Sequence, residues 1–253
     1  LAQSDESLLA KLMAYRFTEG TGLTGHAFGN LMLTALERIT GTFEGAIKEA
    51  ERLLGVRGSV IPVTLTPTRL LAELENGTII HGETNMDIPQ HDGRLAIKRV
   101  WLEPPAQINP RAASAIANAD AVIIGPGDLF TSLVPNLIVE GMREALTKSN
   151  ATLFYFVNLL TKFGETNHFT AEDFVRIMES YIAKDRIDYA IINTGRPSPA
   201  RMRPYVREQA EVVKPEMAPH ASKPLAIYAD LLRPKGFVRH DAEKIRKVLN
   251  SLL

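Results

Sequence analysis

Apolar residues at Leu8, Leu9, Leu12 and Met13 recur at helical spacing behind Ser4 and Asp5, either of which can cap a helix start. The same spacing predicts helices over 27–40 and 43–54; Thr42 opens the second and Gly55 closes it, so the two should pack as a pair. From Ser59 to Glu103 the period shortens. "SVIPVTL", "RLLAEL", "TIIHGET" and "IKRVWL" are short runs of β type, and Asn76-Gly77 is a favoured hairpin turn. This stretch, about 59–103, is predicted to be an antiparallel β insertion.

Beyond a short helix in "NPRAASAIANA", fully apolar runs alternate with amphipathic ones. The runs "AVIIG", "TLFYFVN", "YAIIN" and "PLAIYADLL" read as strands, with "AEVV" as a shorter one. Between them helices are predicted over 133–147, 171–183 and 199–209, with a closing helix after Asp241. Strands without polar alternation belong in a sheet covered on both faces. The expected fold is α/β: a doubly wound, mostly parallel, Rossmann-like sheet with helices on both faces, carrying the antiparallel insertion within a single domain over 1–253.

Composition narrows the partners. In 253 residues, 29 Lys and Arg balance 29 Asp and Glu, leaving no overall field to recruit nucleic acid or an anionic membrane. No cysteine is present, which removes disulfides, thiolate metal sites and cysteine nucleophiles. No apolar run approaches the roughly 20 residues of a membrane helix, and no signal sequence opens the chain, so a cytoplasmic protein without membrane insertion is expected.

Ligands of open parallel sheets bind beyond the carboxyl ends of the strands. There the sequence places Gly125-Pro126-Gly127-Asp128 with Thr131 and Ser132. Glycines let amides approach an anion and two hydroxyls add donors, but the stretch has neither P-loop nor G-x-G-x-x-G spacing and serves equally as a tight β-to-α turn. A second loop carries Asn158, Thr161, Gly164, Glu165 and Thr166 before a helix with Thr170 and Asp173 in capping-box positions; it suits a polar ligand, and equally a well-capped loop. In "VRHDAEK", Arg239 can pair with a diphosphate and His240 can move a proton, while Asp241 needs no role beyond capping the last helix. His26, Gly29 and Asn30 stand at the mouth of a helix, and Tyr205 can stack on a base or sugar or simply pack.

Taken in order, "YRFTEGTGLTGHAFGNLMLTAL", "GSVIPVTL", "ADAVIIGPGDLFTSLVPNLIVEGMREAL", "FVNLLTKFGET" and "VRHDAEKI" resemble the gluconeogenesis-factor (YvcK-like) family, which is related to the CofD-like phospholactate transferases of deazaflavin cofactor synthesis. The resemblance runs from about Tyr15 to the final helix. It implies a nucleotide-sugar-binding protein, with UDP-N-acetylglucosamine as ligand and roles in carbon metabolism and cell shape. By motif match Tyr205 and Arg239 are carried over as nucleotide-sugar contacts, and Gly125, Gly127, Thr131, Ser132 and Asn158 as the pocket floor, with His26 and Asn30 in the GHxxGN segment. Asp128 stands where the family commonly has a serine, which sets a carboxylate beside the proposed phosphate. The family also opens with a strand, a glycine-rich loop and a DDGGSSG-like segment that would precede Leu1. On that expectation the chain is N-terminally truncated and its pocket lacks one wall.

Three functions follow. A UDP-sugar-binding regulatory protein without turnover is favoured by the branch motifs. A 2-phospho-lactate transferase acting on a nucleotide-diphosphate donor, with Mg2+ as its cation, is the alternative. The third is a scaffold that forms a homodimer through the β insertion. Fold alone does not decide between them.

Overall fold

The computed structural model describes residues 8–218 and 223–253, so the proposed caps Ser4 and Asp5 lie outside the described residues. The chain gathers into two compact units, Leu1–Leu65 and Thr66–Leu253.

In the first unit α1 (Leu8–Ala14) packs on α2 (Phe28–Thr40), and α2 on α3 (Phe43–Leu54). The chain reverses between α2 and α3 because Gly41 takes a positive φ and Thr42 then accepts the Gly45 N–H at 3.0 Å, restarting the helix. The expected strand "SVIPVTL" does not form. Residues 59–65 have no ladder partner, and Pro62 lacks the N–H that a central position requires.

The second unit holds two sheets. The antiparallel one has the order β2-β1-β3, built from β1 (Arg69–Leu74), β2 (Ile79–His81) and β3 (Ile97–Glu103). Its hairpin turns at Asn76-Gly77, where the Leu74 N–H reaches the Thr78 carbonyl at 2.9 Å. The tail of "TIIHGET" leaves the sheet and enters a short helix, α4 (Glu83–Asp87), which delivers Asp87 at its end.

After α5 (Pro110–Ala117), capped by Asn109, come β4 (Ala121–Ile124), β5 (Thr152–Phe156), β6 (Tyr189–Asn193) and β7 (Leu225–Ala229), all parallel and neighbours in that order. Between β4 and β5 the single helix expected over 133–147 is broken into a π-helical turn (Leu129–Leu133), α6 (Val134–Leu137) and α7 (Met142–Lys148). The break has a long-range cause: Glu140 is drawn into a parallel bridge with Gln107, and Gly141 follows at φ 92°, closed to most side chains. The run "AEVV" likewise makes only an isolated bridge, Leu160 to Val212.

The remaining helices are α8 (Ala171–Tyr181), α9 (Pro199–Arg207) and α10 (Ala242–Leu252). Right-handed crossovers stepping in one direction put the connecting helices on one face of the sheet, leaving the other face to α10. There Ile245, Val248, Leu249 and Leu252 pack on Phe154, Phe156 and Ile191. Leu153 and Tyr155, alternating with those phenylalanines, are also fully buried, which is why β5 reads as a continuous apolar run. The Thr170–Asp173 capping box forms at the start of α8. Thr170→Ala should therefore cost about 1 kcal/mol in urea unfolding.

Candidate functional site

Two open cavities lie beyond the carboxyl ends of β4 and β5. One, about 650 Å³, is lined by Asp87, Asp128, Lys162, Tyr205, Arg207 and Arg239 among others. The other, about 450 Å³, is lined by Gly127, Asn158, Leu159 and His240, and shares Asp128, Leu160 and Arg239 with the first. Arg239 thus stands where the two meet. Its side chain is exposed and makes no ion pair or hydrogen bond among the described residues.

Helix α9 fixes the segment that carries it. Arg201 donates to the carbonyls of Gly236 and Phe237, each at 2.9 Å, and one turn later the Tyr205 hydroxyl accepts the Val238 N–H at 3.0 Å. Tyr205 also packs against Leu159, Leu232 and Val238, so it combines the packing role with a place on the cavity wall. The phenolic proton remains free to be donated.

The glycine-proline loop has its own geometry. Gly125 has φ 81° and a cis bond to Pro126, and a side chain on it would come within 3.1 Å of the Phe156 carbonyl. Glycine is therefore required here by the turn and by the close approach of β5. Asn158 ties this loop to the next by donating to the Gly127 carbonyl at 2.9 Å; its own carbonyl oxygen is buried without a partner among the described residues.

Two of the donors around the glycine-proline loop, one of them the Thr131 hydroxyl, are already engaged by Glu165. Its carboxylate, on a residue only 3% exposed, accepts the Phe130 N–H at 3.0 Å and the Thr131 hydroxyl at 2.9 Å. Burial, helped by the neighbouring Asp128, pushes the Glu165 carboxyl up to about 7 against the pull of those two bonds and of Lys162. Thr161 and Thr166 are likewise spent on the backbone, accepting the N–H groups of Glu211 and Lys162 at 2.9 Å each. Gly125, Thr131 and Ser132 line neither cavity. His26 and Asn30 are exposed residues of the other unit, at the start of α2.

His240 is held neutral. Burial drives its pKa down to about 4, partly opposed by a hydrogen bond with the Val157 backbone, and its Nε2 has no partner among the described residues. Asp241 caps α10, accepting the Lys244 N–H at 3.0 Å.

Asp87, Asp128 and Glu165 offer carboxylate oxygens within 4.8 Å of one another, the hard-ligand set that Mg2+ favours. The place is served already. Lys162 Nζ lies 2.6 Å from Asp87 Oδ1 and 3.9 Å from Asp128 Oδ2, while each Glu165 oxygen accepts a protein donor. With the lysine in position the cluster does not fit a divalent ion in addition. Asp87 and Arg207 follow no motif, and Lys162, although it lies inside "FVNLLTKFGET" six positions past the end of β5, is picked out by no spacing rule.

Residues 1–232 match the family model described as 2-phospho-L-lactate transferase CofD. A relative from Aquifex aeolicus is 40% identical over 257 residues, covering all of this chain and 78% of its own length. The gluconeogenesis factor of Bacillus subtilis is 36% identical, covering 98% of this chain and 78% of the relative, and that of Listeria innocua is 38% identical, covering 96% and 74%. The chain spans only 54% of a longer relative from Nostoc. A 2.60 Å crystal structure of a UPF0052 family protein from Bacillus halodurans superimposes with a TM-score of 0.86 at 32% identity, covering 97% of this chain and 78% of that one. A family match over nearly the whole chain, with relatives of this identity and coverage, places the protein: it belongs to the CofD family, on the side of its gluconeogenesis factors.

Proposed function

We propose that the chain binds a UDP-sugar, UDP-N-acetylglucosamine first among them, and acts as a regulatory protein of carbon metabolism and cell shape without consuming the nucleotide. One observation carries this reading: the unpaired Arg239 guanidinium at the junction of two cavities, with the Tyr205 ring on the wall of the larger. A diphosphate at the junction would take Arg239 in a charge-assisted, two-pronged bond, leaving room for base and sugar on either side. The relatives described as gluconeogenesis factors support the regulatory side. A cytoplasmic location is part of the same proposal, resting on the family resemblance; no helix among the described residues is long and apolar enough to cross a membrane.

Calorimetric titration should give one UDP-N-acetylglucosamine per chain, recovered unchanged afterwards. Arg239→Ala should weaken binding about tenfold or more, the usual worth of a hydrogen bond to a charged group. Absence of heat with every UDP-sugar would overturn the proposal. The alternative, phospholactyl transfer from a nucleotide-diphosphate donor, is favoured by the family description and by the Asp128 carboxylate on the cavity wall. A new product from donor, acceptor and Mg2+ would establish that reading instead.

A further inference from the structure

We infer that Lys162 stands in for a divalent cation: its ammonium, seated between Asp87 and Asp128 on the wall of the larger cavity, lets an anionic diphosphate ligand bind there without a metal. The inference rests on the UDP-sugar reading for the ligand, but not for the charge arrangement.

Two aspartates on this wall converge with a glutamate buried behind it. Left alone they would repel a diphosphate approaching Arg239. Proteins that hold phosphates beside carboxylates commonly place Mg2+ between them. Here the four-carbon stem of Lys162 brings a compact positive charge to the same place. The ammonium spends one N–H on Asp87 at hydrogen-bond distance, and at 3.9 Å Asp128 is an ion-pair neighbour rather than an acceptor. Of its three donors, two therefore remain for a ligand. The side chain is 34% exposed and lines the same cavity as Tyr205 and Arg239. Burial alone would disfavour the charged form, yet the hydrogen bond to Asp87 and the nearby Asp128 outweigh it, so the amine stays charged. A lysine placed only to fasten α4 to the loop after β4 would have no need to reach open space.

The arrangement makes opposite predictions for metal and for ligand. Mn2+ titrated alone, followed by electron paramagnetic resonance, should show no saturable site in the wild type. Lys162→Met vacates the place among the carboxylates and should take up one Mn2+ per chain, which Lys162→Met/Asp128→Asn should lose. UDP-N-acetylglucosamine should bind the wild type equally in EDTA and in Mg2+. Lys162→Met should bind it about tenfold or more weakly in EDTA and recover most of the loss in Mg2+, whereas Lys162→Arg keeps its affinity in EDTA. Circular dichroism spectra matching the wild type establish that each variant is folded. Folded Lys162→Met that takes up no Mn2+, or that binds the sugar nucleotide in EDTA as tightly as the wild type does, overturns the inference. So does saturable Mn2+ binding by the wild type that Asp128→Asn abolishes. A wild type that binds no UDP-sugar strikes the proposed function alone, because the Mn2+ titration still decides the role of Lys162.

Discussion

Arg186→Met is expected to lower the stability of the protein by about 3–5 kcal/mol, the cost of removing one partner from a buried charged network. The guanidinium, on a side chain 13% exposed, donates from Nε to the Leu146 carbonyl at 2.7 Å and from Nη2 to those of Ser149 and Ala151 at 3.1 and 3.0 Å. Nη1 reaches Asp188 Oδ2 at 3.2 Å, and the same oxygen accepts the Leu153 N–H at 2.7 Å. Burial alone would push the Asp188 carboxyl up; the Leu153 N–H, Lys223 and Arg186 outweigh it and hold it below the ordinary range. Methionine fills similar volume but leaves three carbonyls without these donors, and Asp188 keeps only the Leu153 N–H and Lys223. Arg186→Lys should recover only part of the loss, because a point charge cannot serve carbonyls in three directions. The network lies at the amino ends of β5 and β6, opposite the cavities, so folded variant should keep its ligand affinity. A urea midpoint shift worth less than about 1 kcal/mol would mean that water replaces the guanidinium at those carbonyls.

Legibility from sequence followed the range of the interactions. The α2–α3 reversal is written in Gly41 and Thr42, the end of α3 in Gly55, and the β1–β2 hairpin in Asn76-Gly77, all within a few residues of the structure they specify. The parallel strands are legible because burial on both faces leaves no polar alternation in "TLFYF" or "YAIIN". The helix over 133–147 misled because its local pattern is sound; what breaks it is Gln107, more than 30 residues away, pairing with Glu140. The site divides in the same way. Arg239 stands out as a polar residue beyond a strand and Tyr205 by its ring and by motif match, whereas the capture of the Phe130 amide and Thr131 hydroxyl by Glu165 spans 34 to 35 residues and leaves no local trace. Read by itself, "GPGDLFTS" serves equally as an anion cradle or a tight turn; in the folded chain its Phe130 amide and Thr131 hydroxyl hold a carboxylate of the protein's own.

That internal anion sets up a pH-dependent result. Glu165→Gln should match the wild type near pH 5 and exceed it in stability by about 2–3 kcal/mol at pH 8. The folded pKa of Glu165 is raised to about 7 from an ordinary 4.5, burial being the largest cause. A carboxyl with a raised folded pKa contributes its full stability below the unfolded pKa and loses it as pH climbs through the folded one. The wild type therefore weakens between about pH 4.5 and pH 7 as the buried group ionises beside Asp128, while the neutral amide does not titrate. Glutamine keeps the shape and can still accept from Phe130 while meeting the Thr131 hydroxyl, which is able to accept as well as donate. Urea unfolding of both proteins at pH 5, 7 and 8 measures the divergence. If the variant is the less stable at pH 8, the carboxylate is ionised and held by Lys162, Phe130 and Thr131 more strongly than burial opposes it. A gain in stability accompanied by weaker UDP-sugar binding would identify Glu165 as a strained residue kept for the site, since natural chains break local rules where function requires it. A gain without loss of binding would leave it a structural plug of the loop after β4.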